Sequence, residues 1–418
     1  MTNGIKQTFG EIQEEAKRCL YCVDAPCQKG CPANVDVAQF IRHLRYGDVK
    51  SAKRVIKEAN PLGGICASLC PSENLCQKNC TRNRCGTPVH IRDLQKFACA
   101  NGQYRPVLAP LNGKKVAVIG AGPAGLACAA SLAALGYEAD VLEADSNAAG
   151  VVSREIPGSR ISMDVIKDDL GELPADRIHI TYNRRVTLDE MMGGLSEQYD
   201  AVFMGAGLGR DRISGVEIGE GAPVVGCSSF LKDLKDGTIK ELSGTVCVIG
   251  GGDSAIDAVR CSLDAGAEKA VLAYRRSRLE MPSCDEEFIH AALEGSGFMY
   301  LVSPKNISLK GEEAEITFVR NRMTACQDEG DRTRTGRRRF EAIPGSEFVM
   351  KASLVVFAIG KVADMELPEG NVDPDTLRVE GTNCFAGGDW YNGGATVVQA
   401  VSDGKKAAAA MDSYIRNH

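Results

Sequence analysis

The stretch from Val116 to Glu143, VAVIGAGPAGLACAASLAALGYEADVLE, constrains the fold of this 418-residue chain more than any other. Four apolar residues run into Gly120, Gly122 and Gly125, an apolar helical run follows, and a second apolar strand ends at Glu143. Each glycine has a separate physical task. Gly120 permits a tight turn, Gly122 lets backbone approach a pyrophosphate, and Gly125 lets the helix pack close to the strand. Pro123 and Ala124 open the helix, whose free N–H groups and positive dipole end suit a phosphate. Glu143 falls where a carboxylate accepts hydrogen bonds from ribose hydroxyls, which favours a nucleotide with no phosphate at that position.

The fingerprint recurs 130 residues on, counted from Gly120 to Gly250. An apolar strand from Thr245 runs into Gly250, Gly251, Gly252, Asp253, Ser254 and Ala255, with Ala255 in place of the third glycine. At the end of its second strand stands no acid but Tyr274-Arg275-Arg276. Two guanidiniums there suit a 2′-phosphate through charge-assisted bonds, so this unit is expected to take NADPH, with NADH as the alternative. Two repeats of strand, glycine-rich turn, helix and strand predict an α/β chain with two Rossmann-like nucleotide-binding domains. A later apolar strand leads through Ala358 to Gly360, and another leads to Gly388 and Asp389. Near the C-terminus, Gly393-Gly394-Ala395 precedes Thr396, Val397 and Val398 at the start of a final helix. That N-terminus can hold developing negative charge, as on a reduced flavin. Residues 298–350 alternate apolar and polar side chains and predict an antiparallel meander. Its basic run, Arg332 to Arg339, is assigned no chemistry.

Of the 17 cysteines, eight lie between Cys19 and Cys80. The first group is Cys19, Cys22, Cys27 and Cys31, followed by Pro32; the second is Cys66, Cys70, Cys76 and Cys80, with Pro71 after Cys70. Such crowding reads as metal ligation before disulfides. A Cys-Pro ending resembles ferredoxin runs, whose last cysteine serves the other cluster, so two iron–sulfur clusters with crossed ligands are expected. Zinc sites commonly pair two Cys-x2-Cys knuckles, and only one such pair occurs among the eight. Around these cysteines the pattern predicts short helices and almost no strand, an all-α domain over residues 1–110. Residues 111–225 and 365–418 are then expected to form the first nucleotide-binding domain and residues 226–364 the second.

The net charge of −6 argues against a general nucleic-acid binder. It is unevenly spread: up to Arg105 there are 16 Lys and Arg against 9 Asp and Glu, a difference of +7. That basic region can offset anionic clusters or meet an acidic partner. No run of about 18 apolar residues occurs, and Met1 to Gly10 lacks the basic start and apolar stretch of a signal peptide, so a cytoplasmic protein with no membrane contact is expected.

The whole chain resembles the electron-input module shared by the glutamate synthase small subunit and the N-terminal part, or separate small subunit, of dihydropyrimidine dehydrogenase. The resemblance runs through CLYCVDAPCQKGCP, NPLGGICASLCPSENLC, GAGPAGL, GGGDSAID, AYRR, FAGGD and TVVQAV. DAPC, NPLG and Arg154-Glu155-Ile156-Pro157 are closer to the dehydrogenase branch; AYRR and GRRRFEAIPGSE are closer to the synthase branch. The resemblance implies a glutathione reductase-like layout of the two nucleotide domains. It implies one [4Fe-4S] cluster on Cys19, Cys22, Cys27 and Cys80, and a second on Cys31, Cys70, Cys76 and Gln95, with Cys66 a buried non-ligand. It implies FAD on Gly120, Gly122, Gly125, Glu143, Gly150, Arg160 and Val186, with Gly388 and Asp389 at the ribityl chain and Thr396 to Val398 at the isoalloxazine. Ala149 stands where the family pattern has glycine. NADPH would reduce FAD by hydride transfer, and single electrons would leave through the clusters to a partner subunit carrying FMN. The dehydrogenase-like partner is the first expectation. The alternatives are a glutamate synthase or a transhydrogenase or bifurcating complex, and, outside enzymes, a nucleotide-sensing scaffold stabilised by zinc.

Overall fold

Strand Lys115–Ile119 is buried after its first residue and becomes the centre of a five-stranded parallel sheet. Glu138–Leu142 and then Ile178–Thr181 lie to one side, Ala201–Met204 and then Cys384–Ala386 to the other. Covering both faces of a parallel sheet is what allows Ala201–Met204 to be wholly buried and to read as a continuous apolar run. The computed structural model describes residues 8–213, 215–324, 336–365 and 372–418. The chain divides into two compact units, one of Met1–Ser153, Gly158–Gly209 and Ala363–His418, the other of Arg154–Pro157 and Arg210–Val362.

In the first unit, amphipathic helices build the cysteine-rich domain. Phe9–Lys17 starts at a capping box in which Thr8 and Glu11 satisfy each other's backbone N–H groups. Asp36 and Asp48 cap Val37–Arg45 and Val49–Ala59, and Ile91–Asn101 follows the second cysteine group. Ile12, Phe40, Ile41, Leu44, Ile56 and Leu94 from these helices are fully buried together with their neighbours. Two shorter helices, Pro26–Lys29 and Gly63–Leu69, escape a periodicity reading because neither is long enough to show a face.

Gly63–Leu69 has no local side-chain cap, and the remedy comes from far along the chain. Asp169, on helix Met163–Gly171, accepts hydrogen bonds from the Gly64 and Ile65 N–H groups at 3.2 and 2.7 Å. Lys57 closes the arrangement, with Nζ 2.8 Å from Asp169 and 2.9 Å from Glu172, while Lys53 pairs with Glu172 at 2.6 Å. Both lysines and Asp169 are buried, so the ion pairs and hydrogen bonds offset one another's desolvation. This network fastens the cysteine-rich domain to the first nucleotide domain.

The C-terminal helix, Val397–Arg416, packs along helix Pro123–Ala134. Contact is closest at Gly404, where a Cβ would lie 2.1 Å from the Ala124 carbonyl oxygen. A glycine inside a helix costs about 1 kcal/mol against alanine, and here the close approach is the reason for it.

The second unit holds another five-stranded parallel sheet, in the order Gly297–Tyr300, Lys269–Tyr274, Thr245–Gly250, Leu354–Ala358 and Val224–Gly226. Val224–Gly226 is therefore a strand of this sheet, and a boundary at 225/226 would cut through it. The expected meander is present from Val302–Lys310 through Glu313–Met323 to Phe348–Ala352. Gly297–Tyr300, however, pairs parallel with Lys269–Tyr274 and belongs to the nucleotide sheet. Alternation alone does not distinguish an edge strand of one sheet from the first strand of the next.

Replacing Gly404 by alanine should destabilise the first unit by about 1–3 kcal/mol through overpacking against backbone. Thermal unfolding of the flavin-loaded protein reads this as a lowered midpoint. In parallel, Asp169→Ala, which strips two N–H groups and a buried lysine of their partner, should cost about 3–5 kcal/mol in a denaturant titration.

Candidate functional site

The three glycines of the first fingerprint occupy three different environments. Gly120 has φ +94° and its Cβ would come within 2.8 Å of the Gly205 carbonyl oxygen. At Gly125 a Cβ would lie 1.9 Å from the Gly120 carbonyl oxygen, whereas at Gly122 it would meet nothing within 4 Å. Two glycines thus close the backbone and the middle one leaves open the space a pyrophosphate needs. Pro123 occupies the first turn of the helix, and Ala124 is buried behind it. Gly150, with φ +55°, brings its own Cβ position to 3.2 Å from Gly122 Cα. Ala149 beside it takes φ +74° and donates its N–H to the Ala121 carbonyl at 2.8 Å, so a left-handed turn is held here by an alanine at a steric cost.

Glu143 is buried, and its carboxylate accepts from the Ala121 N–H at 2.6 Å and the Asp145 N–H at 2.8 Å. These bonds hold the acid against the glycine turn and leave each oxygen a second lone pair for a hydroxyl. Val186 is buried in the cluster that includes Ile119 and Met204, and Arg160 is half-buried in the loop before helix Met163–Gly171. Gly388 has φ +67°; Asp389 accepts the Ala395 N–H at 3.0 Å. Thr396 caps the final helix through the Gln399 N–H, which leaves the N–H groups at Val397 and Val398 without partners within the helix.

In the second unit the same division recurs. A Cβ on Gly250 would lie 2.3 Å from the Ala358 carbonyl oxygen and one on Gly251 2.5 Å from the Tyr274 ring, while Gly252 faces open space. Asp253 uses one carboxylate oxygen on the Cys284 N–H at 2.8 Å, and Ser254 is exposed at the helix start. Gly360 turns the chain with φ +104°. Arg276 is buried and donates Nε to the Arg338 carbonyl at 2.8 Å, and Arg275 and Arg276 both lie over the Phe340 ring. Burial first, then Arg276 and Arg337, pushes the Arg275 pKa down. Arg337 and Arg338 line an open cavity of about 430 Å³ together with Glu280 and Pro282, and Arg338 pairs with Glu280 at 2.6 Å. The basic run set aside in the sequence therefore ends beside Arg275 and Arg276. Residues 325–335, which include Arg332 and Arg334, lie outside the described residues.

The eight cysteines sort into two pockets. Cys19, Cys22, Cys27 and Cys80 line one. Cys31, Cys66, Cys70, Cys76 and Gln95 line the other. The two groups are crossed between loops, as the spacing predicts. None of the eight is paired in a disulfide. Burial and then the neighbouring thiols Cys19 and Cys80 push Cys27 up to about 11. Burial and then Cys31 push Cys76 up to about 12, and Cys27 adds to it. Thiols packed this way repel one another once ionised, and a shared cation removes the penalty; the donor set fits iron–sulfur clusters. Cys66 is one helical turn from Cys70, and a hydrogen bond donated by the Cys70 thiol to Cys66, ahead of burial, pushes the Cys70 pKa up. Gln95 donates its amide nitrogen to the Gly63 carbonyl at 2.8 Å, which leaves its oxygen as the acceptor available to the cavity.

Val398, second residue of the final helix, lines the cavity of Cys31, Cys70 and Cys76.

Residues 2–105 match the family described as dihydropyrimidine dehydrogenase domain II, 4Fe-4S cluster, and residues 114–404 match pyridine nucleotide-disulphide oxidoreductase. The small chain of glutamate synthase [NADPH] from Escherichia coli is 30% identical over 97% of this chain and 92% of its own length. The chain belongs to the pyridine nucleotide-disulphide oxidoreductase family. This oxidoreductase is also 35% identical to the beta subunit of the NADP(+)-dependent formate dehydrogenase of Moorella thermoacetica, over 94% of this chain, and spans 60% of that subunit. The NAD-dependent dihydropyrimidine dehydrogenase subunit PreT of Salmonella typhimurium is 29% identical over 96% of this chain and 94% of its own length. Among solved structures, Mycobacterium tuberculosis FprA in complex with NADPH has the same fold, with a TM-score of 0.58 at 19% identity, over 74% of this chain and 85% of that one. With its N-terminal 4Fe-4S domain, the oxidoreductase is an NAD(P)H-dependent flavin and iron–sulfur electron-transfer subunit of this family. Among the described residues no helix is long and apolar enough to cross a membrane.

Sequence reasoning missed three consecutive residues of the oxidoreductase. Asp403 is buried and holds the glycine turn, accepting from Gly388 N–H at 3.1 Å and Asn392 at 3.0 Å. Gly404 permits the helix contact, and Lys405 reaches into the cysteine-rich domain, donating to the carbonyls of Ala33 and Ala59. The available signal was a glycine flanked by charge inside an otherwise regular helix, which asks for a packing or functional reason.

Iron analysis of single substitutions separates the two cavities. Cys27→Ser should remove about half the iron and Cys76→Ser the other half, each leaving the electron paramagnetic resonance signal of its counterpart. Gln95→Ala should disturb the second signal more than Cys66→Ala, and the opposite order would assign Cys66 as the ligand.

Proposed function

We propose that the chain is the electron-input subunit of a larger enzyme: it oxidises NADPH, holds FAD at the first fingerprint and two [4Fe-4S] clusters at the two cysteine cavities, and delivers single electrons to a partner subunit. The observation that carries this is Val398. The residue at the turn assigned to the isoalloxazine also lines the cavity of the second cluster, so the flavin site adjoins a metal site with no intervening domain.

Each part of the chain has a limited task in this reading. The N–H groups of the first fingerprint helix hold the pyrophosphate and Glu143 holds the ribose. Thr396 fixes the start of the final helix so that its unpaired N–H groups face developing negative charge. Arg275 and Arg276, with Arg338 behind them, hold the 2′-phosphate. Cys19, Cys22, Cys27 and Cys80 would hold one cluster and Cys31, Cys70, Cys76 and Gln95 the other. Bound FAD would supply the exchange between two-electron and one-electron chemistry. Hydride transfer needs two rings held in register and no general acid or base, consistent with a site formed chiefly by backbone.

The partner we favour is a dihydropyrimidine dehydrogenase-like subunit carrying FMN, on the description of the N-terminal family and the DAPC and NPLG motifs. Coverage of 92% of the E. coli glutamate synthase small chain favours a second reading, delivery to a glutamate synthase. Anaerobic pull-down from the native host, followed by assays with uracil, thymine, and glutamine plus 2-oxoglutarate, decides between them. Copurification with a glutamine amidotransferase would overturn the first.

Replacing Arg275 or Arg276 singly by alanine should raise KM for NADPH about tenfold or more, as loss of a charge-assisted bond worth about 1.5–3 kcal/mol requires, with little change for NADH. Equal effects on the two nucleotides would contradict 2′-phosphate recognition.

A further inference from the structure

Lys405 lies on the final helix seven residues after Val398, and its ammonium leaves that helix for the cysteine-rich domain. Nζ donates to the Ala33 carbonyl at 3.0 Å and to the Ala59 carbonyl. Ala59 is the last residue of helix Val49–Ala59, where a carbonyl has no partner within the helix and the dipole is negative. Ala33 follows Cys31-Pro32, so the ammonium is held two residues from a cysteine of the second cavity. Cys31 also acts on Lys405 electrostatically, opposing the downward push of burial on its pKa.

What sets Lys405 apart is the absence of an acid. The buried lysines of the first unit, Lys53 and Lys57, are paired with Glu172 and Asp169. Lys405 makes no ion pair among the described residues, and its two partners are neutral carbonyls. A partly buried cation held by neutral groups has a field that is not cancelled locally, and that field is stronger in a low-dielectric setting than in water. The thiol group whose charge it feels is Cys31, which shares its cavity with Cys70 and Cys76.

We propose that Lys405 sets how readily the iron–sulfur centre in the second cavity accepts an electron. This rests on the reading that the cavity holds a cluster. Uptake of one electron, supplied from NADPH through the flavin, adds one negative charge to that centre and breaks no bond. A fixed positive charge beside Cys31 favours the reduced form, and because Lys405 and Val398 share one helix, the same element that lines the flavin site biases the electron towards the cluster. Lys405 acts through charge and takes no part in hydride transfer.

The test is a redox titration followed by electron paramagnetic resonance on the loaded full-length protein. Lys405→Gln keeps a donor for the two carbonyls and removes the charge; Lys405→Arg keeps the charge. The glutamine variant should reduce the second cluster about tenfold less readily, equivalent to ~59 mV for one electron, with the first cluster moved much less. The arginine variant should stay near the wild type. Thermal unfolding accompanies both, because a purely structural role predicts equal loss of stability with no change in the titration. A second cluster that titrates alike in wild type and Lys405→Gln overturns this inference alone. Absence in the wild type of any signal that Cys76→Ser removes overturns the cluster reading and the inference with it.

Discussion

The close crossing of the final helix on the first fingerprint helix is the contact on which the arrangement depends. It is possible because Gly404 lets the helix approach the Ala124 carbonyl, at the start of the helix that follows the first glycine fingerprint. From that contact the geometry of the rest follows along one helix. Towards its N-terminus, Asp403 grips the Gly388 turn and Val398 reaches the second cysteine cavity; just beyond Gly404, Lys405 reaches Ala33 and Ala59. One element thus touches the first fingerprint helix, the turn we assign to the flavin ring and the backbone beside Cys31, a cluster ligand in our proposal.

The second joint of the first unit is electrostatic. Asp169 caps a helix that belongs to another part of the chain, and Lys57 and Lys53 compensate its charge and that of Glu172. Burying such groups is unfavourable unless every charge and donor is met, and loosening one member exposes the rest to the full desolvation penalty. The network therefore favours one seating of the cysteine-rich domain over looser ones. Electron transfer between a flavin and a cluster requires such a fixed seating.

Legibility in the sequence follows the range of the interactions. Both fingerprints, the crossed cysteine groups and the parallel strands of the two nucleotide domains were readable because each depends on glycine sterics, spacing or apolar runs within some thirty residues. The cap from Asp169 to Gly64 spans 105 positions, and the contact from Lys405 to Ala33 spans 372, so no local pattern announces either. Residues 298–300 read as meander from alternation alone, which does not say which sheet a strand joins. The role of Arg338 was invisible because its carbonyl, not its charge, meets Arg276.

The central claim is that electrons from a nicotinamide nucleotide pass through a flavin into iron–sulfur centres within this one chain. An anaerobic titration of the isolated, loaded protein with NADPH, followed by visible absorbance and low-temperature electron paramagnetic resonance, tests it without any partner. The account predicts bleaching of the flavin together with the appearance of reduced-cluster signals that are lost in Cys76→Ser. Flavin bleaching with the clusters left oxidised, although chemical reductant of sufficiently low potential reduces them, would contradict it.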